Sequence, residues 1–239
     1  QLIALAREIF ETPFVVGDGG GIELPLNLKK RVISVGAAQY QLGIGGLHSK
    51  EHSAAHYADA DHRLIDRDVR AYYPSIILML RLFPKQMGEA FLKVYKAIVD
   101  ARIFAKEQHD LVTDLALKIV INGSFGKFGS KWSALYAPDL LIQTTITGQL
   151  SLLMLIEAAE EAGVQVVSAN TDGLVFKIHK DKFSRYEEIV EQWESQTGFV
   201  TEATEYAAIY SRDVNNYIAI KLDGKGTKTK GVYAPAMLA

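Results

Sequence analysis

Two aspartates separated by 104 positions are the first candidates for chemistry in this sequence. Asp68 lies near the end of a segment that looks like a strand, and Asp172 lies in a short polar turn between two apolar segments. Carboxylates brought together at one sheet edge repel each other and attract divalent cations, and hard oxygen ligands suit Mg²⁺. An ordinary turn aspartate is the alternative at either position. The pair therefore predicts a metal site if the fold brings the two turns together.

Three cations and an amide on two predicted helices form a second candidate group. Arg102 and Lys106 are four residues apart on one helix, and Lys118 and Asn122 are four residues apart on the next, so each pair lies on one helix face. Arg102 and Lys118 are at comparable distances from the turn at His109, so we expect them to lie level across a helical hairpin. Such a face suits a triphosphate, with Arg as a forked donor and Lys as a point charge. A solvated basic face is the alternative.

The elements around Asp68 follow from periodicity and turn residues. Residues 63–69 predict a strand that brings Asp68 to a turn, and Tyr73-Pro74 precedes a helix that we expect to begin at Ser75. Residues 87–108 and 110–122 predict two antiparallel helices joined at His109. Their predicted apolar positions are Phe91, Val94, Tyr95 and Ile98 on the first and Leu111, Leu115 and Ile119 on the second.

The elements around Asp172 are a helix and two β-hairpins. The predicted helix at 150–162 is stopped by Gly163, and the hairpin after it carries Asp172 at its tip. Glycines punctuate the region before residue 50, for which we expect loops and short strands. The remaining predicted elements are a hairpin of strands 164–168 and 174–178, a helix at 182–196 ended by Gly198, and a hairpin of 217–222 and 227–233 around Asp223-Gly224. Strands and helices segregate, which predicts an α+β fold.

Composition excludes several classes of protein. The 239 residues are 49% hydrophobic, which is enough for a sizeable core, and the absence of cysteine excludes disulfides and thiolate metal sites. The net charge of −2 hides an uneven distribution, because residues 81–132 carry +4 and residues 157–205 carry −7. The first of these stretches is the better candidate for facing phosphate. Neither a signal peptide nor an apolar run of about 20 residues is evident, so we expect no membrane contact.

Three motifs resemble those of family B DNA polymerases. Asp68-Val-Arg-Ala-Tyr-Tyr-Pro-Ser-Ile-Ile77 resembles their first polymerase motif, Lys118-Ile-Val-Ile-Asn-Gly-Ser-Phe-Gly126 their fingers motif, and Ala169-Asn-Thr-Asp-Gly173 their third motif. Arg102 and Lys106 match the other fingers helix, and Gly43-Ile-Gly-Gly46 is similar to the glycine loop between exonuclease and polymerase regions. The motifs occur in the family's order, and the short fingers resemble the phage or mobile-element type.

The resemblance implies template-directed DNA synthesis from deoxynucleoside triphosphates on primer-template DNA, with two Mg²⁺ or Mn²⁺ ions. It implies a palm, whose antiparallel sheet is backed by helices, with an inserted helical-hairpin fingers subdomain. The implied metal ligands are Asp68, the Val69 carbonyl and Asp172. The implied nucleotide contacts are Val69, Ala71, Tyr72, Tyr73, Arg102, Lys106, Lys118 and Asn122, with Tyr73 excluding a ribose 2′-hydroxyl. The implied DNA contacts are Gly45, Gly46, Phe125, Gly126, Lys127, Thr171 and Lys230.

The sequence departs from the family pattern at several of these motifs. Asn170 replaces the first of two aspartates in the third motif, and Asn215-Asn-Tyr217 stands where a Lys-x-Tyr element is often found. Gly123 and Phe125 replace a usual Ser and Tyr. Lys230-Gly231 still resembles the pair that begins the thumb side. We expect that Asn170→Asp, which restores the family's acid, is tolerated.

The resemblance also suggests how the chain is organised. We expect a linker region with the first part of the palm at 1–80, fingers at 81–132, the second part of the palm at 133–216, and a truncated palm-to-thumb hairpin at 217–239. A proofreading exonuclease domain is expected upstream, and a phage polymerase would act in a bacterial cytoplasm. The alternatives are a degenerate palm that binds nucleic acid or nucleotide without catalysis, and a reverse transcriptase or other palm enzyme.

Overall fold

The computed structural model describes residues 2–224 and 226–235. The chain forms two compact units: the first comprises Gln1–Ile9, Leu26–Arg70 and Gln149–Ala239, and the second comprises Phe10–Pro25 and Ala71–Gly148. Positions 1, 225 and 236–239, which fall within the predicted parts 1–80 and 217–239, lie outside the described residues. The four-part division of the chain stays a prediction.

Seven α-helices and twelve strands are present in the described residues. The helices are α1 (Leu2–Glu11), α2 (Leu26–Lys29), α3 (Tyr72–Met79), α4 (Ala90–Glu107), α5 (Leu111–Gly126), α6 (Pro138–Glu161) and α7 (Phe183–Thr197). The strands are β1 (Val15–Val16), β2 (Ile22–Glu23), β3 (Val32–Val35), β4 (Ala38–Gln41), β5 (His48–Ser49), β6 (Ala54–Tyr57), β7 (His62–Val69), β8 (Gln165–Asn170), β9 (Gly173–His179), β10 (Thr201–Asp213), β11 (Asn216–Lys221) and β12 (Thr227–Lys230).

An antiparallel sheet occupies the first unit. Its strand order is β12-β11-β10-β7-β9-β8-β5-β4-β3, and β6 also pairs with β10. Strand β7 therefore lies between β9 and β10, and its residue Asp68 is paired with Gly173 on one side and Glu202 on the other. The predicted strands β7, β8, β9, β11 and β12 are confirmed, and so is the α+β fold class with an antiparallel sheet.

The two faces of β7 have different neighbours because side chains alternate along a strand. Arg67 points to the helical face, where its Nε donates to the hydroxyl of Tyr186 in α7 at 2.9 Å. The ring of Tyr186 also packs edge-on against Phe176 of β9, with 5.1 Å between centroids. The residues on either side of Arg67, Asp66 and Asp68, therefore point to the opposite face of the sheet.

The helical hairpin of the second unit consists of α4 and α5. Asp110 begins α5 because its carboxylate accepts a hydrogen bond from the backbone N–H of Thr113 at 3.0 Å, as an N-cap residue does. His109 adopts a φ of +57° in the turn between the helices. The core of this unit is made by Ile77, Leu82, Phe91, Leu92, Tyr95, Val99, Ile121 and Phe128. The predicted antiparallel hairpin is confirmed.

The apolar faces predicted for the hairpin are partly wrong. Leu111, Leu115 and Ile119 are 76%, 59% and 66% exposed, and Val94 of α4 is 59% exposed. Ile121, which was not among the predicted core positions, is instead the buried residue of α5. A helix with apolar residues on more than one face does not reveal from periodicity alone which face the neighbouring helix covers.

Two helix starts and two whole elements also differ from the sequence-based prediction. Helix α3 begins at Tyr72 rather than Ser75, because Pro74 fits the first turn of a helix, where its missing N–H needs no partner. Helix α1 and the 13-residue strand β10 were not predicted, and α6 begins at Pro138, twelve residues before the predicted start. Tertiary packing overrides local preferences in the other three segments.

Helix α6 is the one described helix that is long and apolar enough to cross a bilayer. It has 24 residues, although polar residues interrupt its apolar sequence so that each apolar stretch is short. Because 56% of its most apolar window is buried within the protein, the helix has the character of a core helix, and the observation is weak support for a membrane span.

Candidate active site

The first and third motifs meet at the end of β7. The backbone N–H of Val69 donates to the carbonyl oxygen of Asp172 at 2.7 Å, and Asp68 is paired with Gly173 across β7 and β9. An added Cβ at Gly173 would collide with Oδ1 of Asp68, so glycine is the residue that leaves room for this carboxylate. The predicted meeting of Asp68 and Asp172 at one edge of the sheet is therefore confirmed.

A tight three-residue turn presents Asp172. The backbone N–H of Asp172 donates to the carbonyl of Asn170 at 2.7 Å, and the intervening Thr171 has a φ of +64°. This is the geometry of a γ-turn with a positive central φ, which is strained for a β-branched residue. Strain of this kind is concentrated at functional sites, where the surrounding structure maintains it.

Burial and neighbouring negative charges disfavour the ionised forms of the Asp68 and Asp172 carboxylates. Loss of hydration raises the pKa of Asp172, and the negative charge of Asp68 raises it further, while Lys230 and Lys228 oppose the shift. The pKa of Asp68 is raised mainly by loss of hydration and then by the charge of Asp66, with a further contribution from Glu202. Two carboxylates that repel each other in this way favour a bound cation.

Asp66 and Lys228 are charged residues of the site that the sequence analysis missed. Nζ of Lys228 lies 2.9 Å from Oδ2 of Asp66 and 3.1 Å from Oδ2 of Asp68, and Asp66 also accepts a hydrogen bond from the hydroxyl of Tyr206 at 2.6 Å. Burial would lower the pKa of Lys228, but the charges of Asp66 and Asp68 raise it overall. Because residues two apart on a strand share a face, the spacing of Asp66 and Asp68 was the signal that could have identified Asp66.

The glycine loop at 43–46 packs against the turn that carries Asp172. The backbone N–H of Thr171 donates to the carbonyl of Leu47 at 2.9 Å, and an added Cβ at Gly46 would lie 3.0 Å from Cα of Thr171. Gln149 fixes the other side of the loop through hydrogen bonds of 2.8 and 2.9 Å to the backbone of Gly43. The structure therefore brings the predicted DNA contacts Gly46 and Thr171 together, with Gly45 in the same loop.

The contacts of the Asn170 side chain argue against the prediction that an acid is tolerated there, which stays a prediction. Its Nδ2 donates to the carbonyl of Val214 at 2.6 Å and lies 3.4 Å from Oδ1 of Asn215. A carboxylate at this position would place an oxygen against oxygen atoms, because it has no N–H to donate. Asn170 thus joins the turn of Asp172 to the turn between β10 and β11.

The second unit contains the residues that the resemblance assigns to the nucleotide, except Val69, which belongs to the first unit. Tyr73 packs against Phe125, with 4.7 Å between ring centroids, and precedes Pro74 in the first turn of α3. Ala71 adopts a φ of +48° immediately before this helix. Tyr72 is only 3% exposed, and its hydroxyl donates to the carbonyl of Gly148. The ring of Tyr72 is therefore buried and its hydroxyl is engaged, and the nucleotide contact predicted for this residue stays a prediction.

The predicted triphosphate face contains an ion pair that was not predicted. Arg102 of α4 donates through Nε to Asp114 of α5 at 2.9 Å, with both side chains largely covered. This ion pair joins the two helices of the hairpin. Lys118 and Asn122 of α5, and Lys106 of α4, are exposed, as are Gly126 and Lys127 at the end of α5. Their roles at a nucleotide or DNA stay predictions.

The donor atoms at the carboxylate pair fit a magnesium ion. In the described parts of the chain no group of three or more His, Cys, Asp or Glu side chains is arranged to hold a metal. Mg²⁺ does not require such a group, because it keeps several waters and takes one or two carboxylates together with substrate phosphates. Asp68 and Asp172 supply two such carboxylates, whose oxygens are hard ligands.

Comparison with known proteins identifies sequence relatives among archaeal polymerases. The chain is 31% identical over 146 residues to DNA polymerase 1 of Sulfolobus acidocaldarius, 29% over 149 residues to that of Sulfurisphaera ohwakuensis, and 30% over 139 residues to that of Saccharolobus solfataricus. These matches cover 60%, 60% and 56% of this chain but 16%, 16% and 15% of the relatives. The chain therefore spans about one sixth of the length of the curated relatives it matches. No protein-family model matches the chain.

A solved structure shares the fold. The family B DNA polymerase from Pyrobaculum calidifontis matches 84% of this chain with a TM-score of 0.54 and 16% sequence identity, and the match covers 30% of that polymerase. At this identity the likeness concerns the fold alone. The phage or mobile-element type stays a prediction. The chain is a sequence relative of the archaeal DNA polymerases, and its fold is that of a family B DNA polymerase.

Proposed function

We propose that the chain carries the polymerase centre of a template-directed DNA polymerase. The reaction adds a deoxynucleotide to a primer 3′-hydroxyl and releases pyrophosphate, with two Mg²⁺ or Mn²⁺ ions at Asp68 and Asp172. The observation that carries the proposal is the backbone hydrogen bond from Val69 to Asp172, since it brings the end of the strand that carries Asp68 to the turn of Asp172, and both carboxylates have raised pKa values. The relatives named DNA polymerase 1 support the choice of reaction.

The residues of the chain have separate roles in this proposal. Bound divalent cations would lower the pKa of the attacking hydroxyl and stabilise the negative charge of the leaving pyrophosphate. Asp68 and Asp172 hold the cations, and Gly173 leaves space for the Asp68 carboxylate. Lys106, Lys118 and Arg102 neutralise triphosphate charge, and Asn122 helps to place the nucleotide. In phosphoryl transfer such positioning and electrostatics supply most of the rate enhancement.

Incorporation of a labelled deoxynucleotide on a primed template tests the proposal. The full chain should extend the primer on a DNA template only when Mg²⁺ or Mn²⁺ is present, and Asp172→Asn should abolish extension because an amide is a poor metal ligand. Asp181→Asn is the matched control, since Asp181 is an exposed aspartate of the same unit that should be dispensable. Metal-independent extension, or extension by Asp172→Asn, would contradict the proposal. Preference for an RNA template would instead indicate a reverse transcriptase.

A palm that binds nucleic acid without catalysis is the second candidate. It is favoured by the ion pair between Lys228 and Asp68, since a lysine at 3.1 Å competes with a metal for that carboxylate. A chain that binds primer-template DNA but shows no extension with Mg²⁺ or Mn²⁺ would support this candidate. An upstream proofreading domain and action in a bacterial cytoplasm remain proposals that the full reading frame and its genome would test.

A further inference from the structure

The two asparagines that replace charged residues of the family pattern lie in contact. Nδ2 of Asn170 donates to the carbonyl of Val214 at 2.6 Å and lies 3.4 Å from Oδ1 of the adjacent Asn215. Oδ1 of Asn170 accepts a hydrogen bond from the hydroxyl of Thr171 at 3.3 Å. The acceptors at one end and the donor at the other define the orientation of the amide. Asn170 is thus bonded both to the turn of Asp172 and to the β10–β11 turn.

The β10–β11 turn is in turn packed against Lys230 and Gly231. Oδ1 of Asn216 accepts a hydrogen bond from the backbone N–H of Val232 at 2.9 Å. An added Cβ at Gly231 would collide with Oδ1 of Asn216 and with the carbonyl oxygen of Asn215. A displacement of the turn would therefore be transmitted to Lys230, which is paired with Tyr217 across β11 and β12.

We propose that Asn170 and Asn215 are energetically coupled and together replace a pair of oppositely charged residues by two uncharged ones. We also propose that Asn170 is a positioning residue. It holds the β10–β11 turn, and with it Lys230, against the turn that carries Asp172. The inference deepens the proposed function, since the part of the substrate concerned is the primer-template DNA that Lys230 would contact. The substitutions at 170 and 215 are therefore not two independent losses of function.

The chemistry of the contact explains why the two positions must change together. A carboxylate at 170 alone would face the oxygens of Val214 and Asn215 with no proton to share, and an unpaired buried or half-buried acceptor is costly. An ammonium at 215 alone would face the amide N–H₂ of Asn170. Together the two charges would attract each other, and this attraction would draw the carboxylate away from the carbonyl of Val214 and towards the lysine at 215.

A double-mutant cycle of Asn170→Asp and Asn215→Lys tests the coupling. Thermal unfolding and primer-template binding are measured for the full chain with EDTA, so that neither readout depends on metal or catalysis. Each single variant should lower Tm, and Asn170→Asp should weaken DNA binding by about tenfold. The double variant should recover most of both losses. If Asn170→Asp does not fold, folding of the double variant is the rescue.

Incorporation kinetics then separate positioning from a merely structural role. In Asn170→Asp the KM for deoxynucleotide at saturating DNA should stay unchanged, while the apparent affinity for primer-template falls. Asn27→Asp, an exposed substitution that adds the same charge, should change neither value. Additive losses in the double variant would overturn the inference even if the parent extends primers. A parent that shows the coupling but never extends a primer would overturn the proposed function alone.

Discussion

The ammonium group of Lys228 lies 3.1 Å from the carboxylate of Asp68, the candidate metal ligand. The same group lies 2.9 Å from Asp66, which is buried. Strand β12 therefore supplies a cation that compensates the acidic end of β7. Without Lys228, Oδ2 of Asp66 would keep the hydrogen bond from the hydroxyl of Tyr206 but would lose its cationic partner.

Replacement of Lys228 by Met should destabilise the metal-free protein. We expect a loss of about 1–2 kcal/mol in the free energy of unfolding, because the charge on buried Asp66 loses a hydrogen-bonding cation while solvent screens part of the effect. Lys96→Met is the control, since Lys96 forms an exposed ion pair of 2.6 Å with Asp100 and should change stability by less than about 0.5 kcal/mol. Equal losses in urea denaturation would mean that Lys228 is only a surface cation.

Replacement of Asp172 by Asn should have opposite effects on stability and on activity. Because Asp68 and loss of hydration raise the pKa of Asp172, the ionised carboxylate is unfavourable in the metal-free fold, and its removal should leave Tm unchanged or raise it. Added Mn²⁺ should stabilise the parent more than the variant. Thermal unfolding with EDTA and with Mn²⁺ measures both effects, and a large loss of Tm with EDTA would make Asp172 a structural residue.

An alanine at Gly173 should impair catalysis more than stability. The new Cβ would collide with Oδ1 of Asp68, which relieves the collision by rotating away from its position at the edge of the sheet. We expect a decrease in incorporation of roughly a hundredfold, the order of magnitude for a misplaced catalytic group. Gly21→Ala, where an added Cβ meets no atom within 4 Å, is the control. If both variants retain full activity, the orientation of Asp68 is not limiting.

Removal of the Lys118 charge should raise the KM for deoxynucleotide and lower kcat. A cation that contacts the triphosphate strengthens its contact as negative charge shifts towards pyrophosphate, so both constants should change. Lys93→Ala, which removes an exposed lysine from α4, should change neither constant. Steady-state kinetics distinguish a specific contact of Lys118 from a general charge effect. Equal effects of the substitutions at Lys118 and Lys93 would mean that the basic helices act only through their general charge.

Truncation of Tyr73 should relax selection between deoxynucleotides and ribonucleotides. Its ring packs on Phe125 and is not fully buried, so Tyr73→Val leaves the core of the unit intact. An added 2′-oxygen would clash with the parent ring, which is discrimination by exclusion. Tyr72→Phe is the control, since it removes a buried hydroxyl that donates to Gly148 and should lower Tm without altering sugar selection. Unchanged ratios of incorporation in a folded Tyr73→Val protein would exclude this role.

Local patterns in the sequence were sufficient for the motifs and for most of the elements that carry them. Asp68 near the end of a strand, Asp172 in a hairpin turn and the helical hairpin around His109 all follow from short-range rules. Turn residues, caps and periodicity act within a few positions, and the chain therefore displays them directly.

Long-range pairing decided the rest of the site. Lys228 is 160 positions from Asp68, and Asn215 is 45 positions from Asn170, so no local pattern relates the members of either pair. Their contacts exist because β10, a strand that was not predicted, pairs with β7 and places the β10–β12 strands beside it. The register of an antiparallel sheet determines which side chains share a face, and only the folded sheet defines that register.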